Sequence, residues 1–98
     1  MILICYDIES NSLRSKLSKK ITAAGLDRIN LSVFLGDLKD TDQRRLIAAL
    51  RQLMMAAGAR DSLIILPVTQ HQVWNMEVLG RNDYDIPTIT GERHTMIF

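Results

Sequence analysis

The apolar residues of this chain form short blocks whose spacing alternates between that of β-strands and that of α-helices. The first block, Ile2 to Tyr6, is a continuous apolar run and predicts a strand buried on both faces. The next block has helical spacing and predicts a helix over about residues 11–24, which Ser10 or Asn11 caps and Gly25 ends. The apolar stripe of this helix consists of Leu13, Leu17, Ile21 and Ala24.

In the middle of the chain the spacing of the apolar residues changes twice, first to that of a strand and then to that of a helix. From Asp27 to Leu38 apolar and polar positions alternate, a strand pattern long enough for either one bent strand or two short ones. A second helix is then predicted, from the cap and first-turn acids at residues 40–42 to a stop at Gly58. Its apolar stripe consists of Leu46, Leu50, Leu53, Met54 and Ala57.

The last third of the chain contains further strand patterns. Ser62 to Val68 is a second continuous apolar run and predicts a central strand, with Pro67 confined to its end. Val73 to Leu79 alternates and predicts another strand. Arg81 to Gly91 has the composition of a linker, and Thr95 to Phe98 adds one last short strand.

This order of elements predicts an α+β fold. The economical layering is a ferredoxin-like sandwich, in which two helices cover one face of an antiparallel sheet. Such a sheet leaves a face or an edge uncovered, and in a chain this small we expect a homodimer to cover it. Residues 1–80 are expected to form this domain, and residues 81–98 a C-terminal tail.

Composition confines the chain to one domain. It has 98 residues, 47% of them apolar, and no apolar run approaches the roughly 20 residues needed to cross a bilayer. Its single cysteine, Cys5, leaves no internal disulfide, and we therefore expect a soluble, cytoplasmic protein.

The formal net charge is small but unevenly spread. Residues 1–60 carry ten Lys or Arg and six Asp or Glu, hence +4, whereas residues 61–98 carry two and five, hence −3. The helical cations suit the backbone of a nucleic acid, although the same pattern fits a solvated helix surface. The candidates are Arg14, Lys16, Lys19 and Lys20 on the first helix, and Arg44 and Arg51 on the second. Because aromatic residues are few, backbone contact is expected rather than base stacking.

One acidic residue stands out, because Asp7 directly follows the first apolar run. An unpaired carboxylate is costly inside a sheet, so Asp7 should lie at the mouth of the strand, where a ligand can reach it. The alternative is that Asp7 only caps the next helix or marks the turn. His71 and His94 stand alone in the sequence, and no metal-ligand cluster, nucleophile triad or phosphate loop is present.

Four stretches of the chain resemble the smaller of the two universal CRISPR adaptation proteins. They cover about residues 1–80, and their order and spacing make the match specific, above all the Ser-Val-Phe-x-Gly block at residues 32–36. The stretches are Tyr6-Asp7-Ile8, Arg14 with Leu17, Gly25 to Leu38, and Ser62 to Val68 with Val78-Leu79-Gly80.

The resemblance implies a ferredoxin-like fold and a symmetric dimer with the two Asp7 side chains near the twofold axis. Some members of the family resemble Mg²⁺-dependent endonucleases of RNA or DNA, and Asp7 would then act as the catalytic residue and hold the metal. In the integrase, such a dimer bridges the larger subunits and binds duplex DNA by its backbone. The tail, residues 81–98, would pack on the dimer partner or on the larger subunit.

The chain departs from the family pattern at two places. Residues 10–13 lack the further acid and the second basic residue that members often have, and Asn30 stands where glutamine is usual. Fewer acids weaken the case for a metal-dependent nuclease but not for a structural role.

Three functions therefore remain open. We favour a DNA-binding scaffold in CRISPR adaptation. A stand-alone metal-dependent ribonuclease of the virulence-associated D toxin type is the second, and a ferredoxin-like ligand-binding regulator is the third, because fold alone does not decide function.

Overall fold

The computed structural model describes residues 1–80 and 95–97 of the chain. Six strands, three α-helices and one turn of 3₁₀ helix (Met54–Ala56) follow one another within these residues. In chain order the elements are β1 (Ile2–Asp7), α1 (Asn11–Ala23), β2 (Asp27–Asn30), β3 (Val33–Gly36), α2 (Asp40–Leu53), β4 (Ser62–Pro67), α3 (Gln70–Trp74), β5 (Glu77–Leu79) and β6 (Thr95–Ile97).

The first four strands form one antiparallel sheet in the order β2-β3-β1-β4. With α1 after β1 and α2 after β3, this is the topology of a ferredoxin-like sandwich, so the predicted α+β class is confirmed. The segment from Asp27 to Leu38, for which one bent strand or two short ones were open, contains two strands joined at Leu31 and Ser32.

Helices α1 and α2 cover one face of the sheet, which we call the helical face. Alternate residues of β1 point to it, and Ile2, Ile4 and Tyr6 are all buried there. The stripe predicted for α1 packs against them, with Leu17 and Ile21 fully buried. Burial of this apolar surface is the main favourable term that holds helices and sheet together.

The opposite face, which we call the open face, is covered only in part. Leu35 is buried beneath Val73 of α3, and Leu3 packs against the same cluster. On β4, by contrast, Ile64 and Leu66 remain 57% and 51% exposed. One chain therefore leaves contiguous apolar side chains of its sheet in contact with solvent.

Two strand predictions are wrong in part. Ser62 to Val68 was expected to be a central strand, but among the described strands β4 lies at the edge of the sheet and pairs only with β1. Val73 to Leu79 was expected to be one strand, yet its first residues belong to α3 and only the last three form β5. The reason lies just upstream, where Thr69 and Gln72 form a capping box that starts a helix.

The ends of α1 follow the predicted signals, whereas the predicted cap of α2 at residues 40–42 is wrong. Lys39 is the N-cap of α2, without a side-chain hydrogen bond, and Asp40 and Asp42 lie in the first turn. Ser10 caps α1, its hydroxyl accepting a hydrogen bond from the N–H of Leu13 at 3.2 Å. Gly25 follows the helix with φ of 107°, a conformation that glycine adopts readily. Helix α2 begins at Asp40 but ends at Leu53 and passes into the 3₁₀ turn, a few residues before the predicted stop at Gly58.

The C-terminal strand β6 pairs in parallel with β5 of the same chain. The predicted linker from Arg81 to Gly91 lies outside the described residues, and the packing of the tail, residues 81–98, on a partner stays a prediction. Among the residues that the structure describes, no helix is long and apolar enough to span a membrane.

Candidate nucleic-acid interface

Asp7 is the last residue of β1, and its side chain is exposed. Its Cα lies opposite that of Ser62 on β4, so the sheet continues up to this residue and the chain leaves it directly afterwards. The cap of α1 is Ser10 rather than Asp7, which removes the helix-capping alternative for this carboxylate. Within residues 1–80, no hydrogen bond or ion pair engages the Asp7 side chain, so its oxygens can accept a ligand.

A cavity of about 480 Å³ opens beside Asp7, and we call it the Asp7 cavity. It lies where the end of β1, the first turns of α1 and the β2–β3 turn meet. The residues lining it are Tyr6, Asp7, Ile8, Arg14, Ser15, Ser18, Arg28, Leu31 and Ser32. Of the six basic residues predicted from the sequence, the structure brings only Arg14 into this cavity.

Arg14 is half-buried and held in place by the backbone that follows Asp7. Its Nη1 donates to the carbonyl of Ile8 at 2.9 Å and, more weakly, to that of Glu9 at 3.5 Å. A guanidinium has five N–H donors, so these contacts fix its orientation and leave donors for a ligand.

Arg28 is a cavity residue that sequence reasoning missed. Its guanidinium lies over the ring of Phe34, with Cζ 5.0 Å from the ring centroid, and Phe34 in turn stacks on Tyr6 at 5.9 Å between centroids. Cross-strand pairing of Arg28 with Phe34 creates this arrangement, which a period-two pattern does not reveal. The Nε atom of Arg28 is buried and has no hydrogen-bond partner among the residues that the structure describes.

The composition of the Asp7 cavity suits a phosphate group. Two guanidiniums provide positive charge and N–H donors, and the hydroxyls of Ser15 and Ser32 add weaker ones, whereas Ser18 Oγ donates to the Ser15 carbonyl at 3.3 Å. Leu31, which is 73% exposed at the β2–β3 turn, adds an apolar surface at the rim. A phosphodiester offers the matching acceptors and charge, whereas a neutral ligand would leave the guanidiniums unused.

Within residues 1–80, the carboxylates other than Asp7 do not line the cavity. Glu9 faces Arg60 in an exposed pair at 3.8 Å, and Asp61 accepts N–H donors from the backbone. Within the described part of the chain, no group of three His, Cys, Asp or Glu side chains is placed to hold a metal ion. Among the described residues, a single carboxylate, that of Asp7, therefore lines a cavity whose other groups suit phosphate.

The pKa of Asp61 is lowered below its ordinary value of 3.8. The N–H of Gly58 donates to one carboxylate oxygen at 2.8 Å, and the N–H of Glu9 donates to the other at 2.9 Å. Both bonds favour the ionised form, so Asp61 is an anion at neutral pH.

The other predicted basic residues lie along the helical layer. Lys20 lines a second cavity of about 420 Å³ between α1 and α2, together with Arg45, which the prediction omitted. Lys16 lines a third of about 240 Å³ at the opposite end of the same helix pair. Lys19, Arg44 and Arg51 are exposed on the helices, with Arg44 Nε donating to the Asp40 carbonyl at 3.4 Å.

Comparison with known proteins gives a consistent result. The family model of "CRISPR associated protein Cas2" matches residues 1–76. A CRISPR-associated endoribonuclease Cas2 from Korarchaeum cryptofilum is 26% identical over 83 residues, which cover 85% of this chain and 87% of that protein. Its counterpart from Archaeoglobus fulgidus is 31% identical over 68 residues, covering 69% of this chain and 70% of the relative.

A solved structure has the same fold. The crystal structure of a hypothetical protein from Thermus thermophilus superposes with a TM-score of 0.66 at 29% sequence identity. The similarity covers 85% of this chain and 93% of that one.

Proposed function

Because this chain belongs to the family of CRISPR associated protein Cas2, we propose that it works in CRISPR adaptation as a homodimer that binds duplex DNA. In this proposal it bridges copies of the larger integrase subunit and holds the DNA by its phosphate backbone. The observation that carries it is the Asp7 cavity, where Arg14 and Arg28 provide fixed cationic donors at the edge of the sheet.

The open face supports the homodimer. Ile64 and Leu66 are more than half exposed on an edge strand, which is where a single chain is most prone to associate. A second copy placed there would bury the same residues twice, since a twofold interface uses one surface on both partners.

The cavity supports backbone contact rather than base reading. Guanidiniums bind phosphate oxygens with paired N–H donors, and such contacts position a duplex without selecting its sequence. The helical cations add charge at a distance, so that several phosphates can be neutralised at once.

Salt dependence and substitution test the binding. We expect duplex affinity to fall steeply with salt, and Arg14→Ala to lower it about tenfold, because a charge-assisted contact is lost. Lys39→Ala is the matched control, since Lys39 is an exposed cation at the start of α2 and should change the affinity less than twofold. Affinity that does not change with salt, or equal effects of the two variants, would refute the backbone-binding proposal.

A second candidate, a Mg²⁺-dependent ribonuclease, is favoured by the exposed Asp7 carboxylate and by the names of the relatives. Mg²⁺ takes oxygen ligands and is often held by one or two carboxylates together with water and phosphate, so Asp7 fits as the protein ligand. When bound, the ion would polarise a phosphoryl oxygen and lower the pKa of a water. Arg14 and Arg28 would orient the phosphodiester and stabilise its charge.

Cleavage assays with paired variants distinguish the two candidates. If the chain is a nuclease, purified protein cleaves RNA with Mg²⁺ and Asp7→Asn abolishes cleavage, while Asp27→Asn, an exposed acid on β2, does not. If Asp7→Asn leaves both residual cleavage and duplex binding unchanged, the cleavage comes from a contaminant and the scaffold function stands.

A further inference from the structure

The peptide group that joins Ile8 to Glu9 lies between two charged side chains. Its carbonyl oxygen accepts a hydrogen bond from Arg14 Nη1 at 2.9 Å. Its N–H donates to Asp61 Oδ1, also at 2.9 Å. One peptide group therefore connects a cation of the Asp7 cavity with a carboxylate in the loop before β4.

Asp61 is itself held by the backbone around it. Its second oxygen, Oδ2, accepts the N–H of Gly58 at 2.8 Å, and its own N–H donates to the Gly58 carbonyl at 3.1 Å. Both oxygens of the carboxylate thus have backbone donors, and the side chain is confined to one orientation.

The direction of the peptide dipole matches the charges at its two ends. The N–H end points to an anion and the C=O end to a cation, so each hydrogen bond is charge-assisted and each polarises the peptide in the sense that strengthens the other. Removing the charge of Asp61 should therefore weaken the bond at Arg14, although the two side chains do not touch.

The same segment also carries Asp7. Asp7 pairs across the sheet with Ser62, the residue after Asp61, and the Ile8–Glu9 peptide follows immediately. The end of β1 is thus held first by strand register and then by the Asp61 carboxylate, before α1 begins. A shift of this segment would move Asp7 and Arg14 together.

We propose that Asp61 is a positioning residue of the Asp7 cavity, which orients the Arg14 guanidinium for a phosphate ligand through the Ile8–Glu9 peptide. The part about phosphate rests on the proposed nucleic-acid function, whereas the coupling between Asp61 and Arg14 does not. Nothing in this role requires Asp61 to contact the ligand.

A neighbouring ion pair provides the control. Arg60 lies next to Asp61 in sequence and pairs with the Glu9 side chain at 3.8 Å, with both side chains well exposed. Exposed pairs of this kind contribute little, so Arg60→Ala changes the charge of the same loop without removing the peptide bridge.

The first experiment needs no nucleic acid. We expect the guanidinium ¹⁵N resonances of Arg14 to move in Asp61→Asn, which keeps the shape of the side chain but not its charge, and to stay in place in Arg60→Ala. Unchanged Arg14 resonances in folded Asp61→Asn would overturn the proposal. If Asp61→Asn does not fold, Asp61→Glu takes its place, because it keeps the charge but misplaces both oxygens.

The second experiment is a double-mutant cycle on duplex affinity. We expect Asp61→Asn to weaken binding about fivefold in the wild-type background and less than twofold in the Arg14→Ala background, since the effect passes through Arg14. Equal losses in the two backgrounds would mean a general structural role and would overturn the proposal. If the wild-type protein binds no duplex at all, the proposed function fails, and the Arg14 resonances alone decide whether Asp61 positions Arg14.

Discussion

The two faces of the sheet consist of the same strands but bury their apolar side chains to different extents. On the helical face Ile4 is fully buried beneath two helices, whereas on the open face Ile64, one strand away, keeps 57% of its surface exposed. Burial within one chain stabilises the fold, and the surface left over is available for association. The helical face therefore stabilises the folded chain, and the proposed association would use the opposite side of the same small sheet.

The largest difference between the faces should appear in folding stability. Ile4→Ala removes fully buried methyl groups and should lower the free energy of unfolding by about 2–5 kcal/mol. Ile64→Ala, the matched change on the open face, should cost less than about 1 kcal/mol at concentrations where the protein is monomeric. Urea denaturation of both variants measures this, and equal losses would show that the open face contributes to folding as much as the helical face.

Dimer formation, unlike folding stability, should be more sensitive to changes on the open face than on the helical face. Ile64→Lys places a charge on the open face of both copies and should raise the dimer dissociation constant about 100-fold or more, since each buried isoleucine contributes about 1.5–3 kcal/mol. The monomer should stay folded. Met55→Lys is the control, because Met55 is 78% exposed on the 3₁₀ turn, outside the sheet. Sedimentation of the two variants measures their dimer dissociation constants. If only Met55→Lys dissociates the dimer, the interface does not lie on the open face.

A smaller effect is expected for Arg28, which lines the Asp7 cavity and lies over the buried ring of Phe34. Arg28→Lys keeps the charge but loses the planar group that lies over Phe34, so duplex affinity should fall about tenfold. Arg45→Lys, between the helices, should change it less than twofold. Titration of a labelled duplex at fixed salt compares them. If the Arg28 and Arg45 variants bind alike, charge alone matters and the stack on Phe34 has no part in binding.

The smallest effect concerns the pH dependence of folding stability and the carboxylate of Asp61, in the loop before β4. Since the folded-state pKa of Asp61 lies below its ordinary value of 3.8, its stabilising contribution is complete above that value and is lost as the pH falls through the folded pKa. Thermal unfolding of the wild type and of Asp61→Asn should differ by a constant amount above about pH 5, and the difference should begin to shrink as the pH falls below about 4. A difference that grows toward acid pH would contradict this assignment.

Local patterns in the sequence predicted most of the helical face. The stripe of Leu13, Leu17 and Ile21, the cap at Ser10 and the stop at Gly25 depend only on neighbours within a few turns, and all were confirmed. Helix α3 was missed although Thr69 and Gln72 carried its signal, because the apolar alternation that follows was given more weight.

The open face and the cavity depend on strand order, which local patterns do not contain. The apolar run at Ser62 to Val68 predicted burial on both sides, whereas in the described chain Leu63 and Ile65 are half-buried and Ile64 and Leu66, on the other side, are exposed. The position of Asp7 at the end of a strand was predicted correctly. Arg28 and Asp61 were missed because their contacts, with Phe34 and with Glu9, come from strand pairing and loop approach.

By strand alternation, Asp7 falls on the same face of β1 as Leu3 and Cys5, and Cys5 pairs with Ile64. If two copies meet through the open face, each complete assembly holds two such carboxylates and each free chain only one. Any reaction that needs both would then depend on protein concentration to the second power below the dissociation constant of the dimer. The concentration of the protein in the cell, rather than an effector, would then control a reaction that needs both carboxylates.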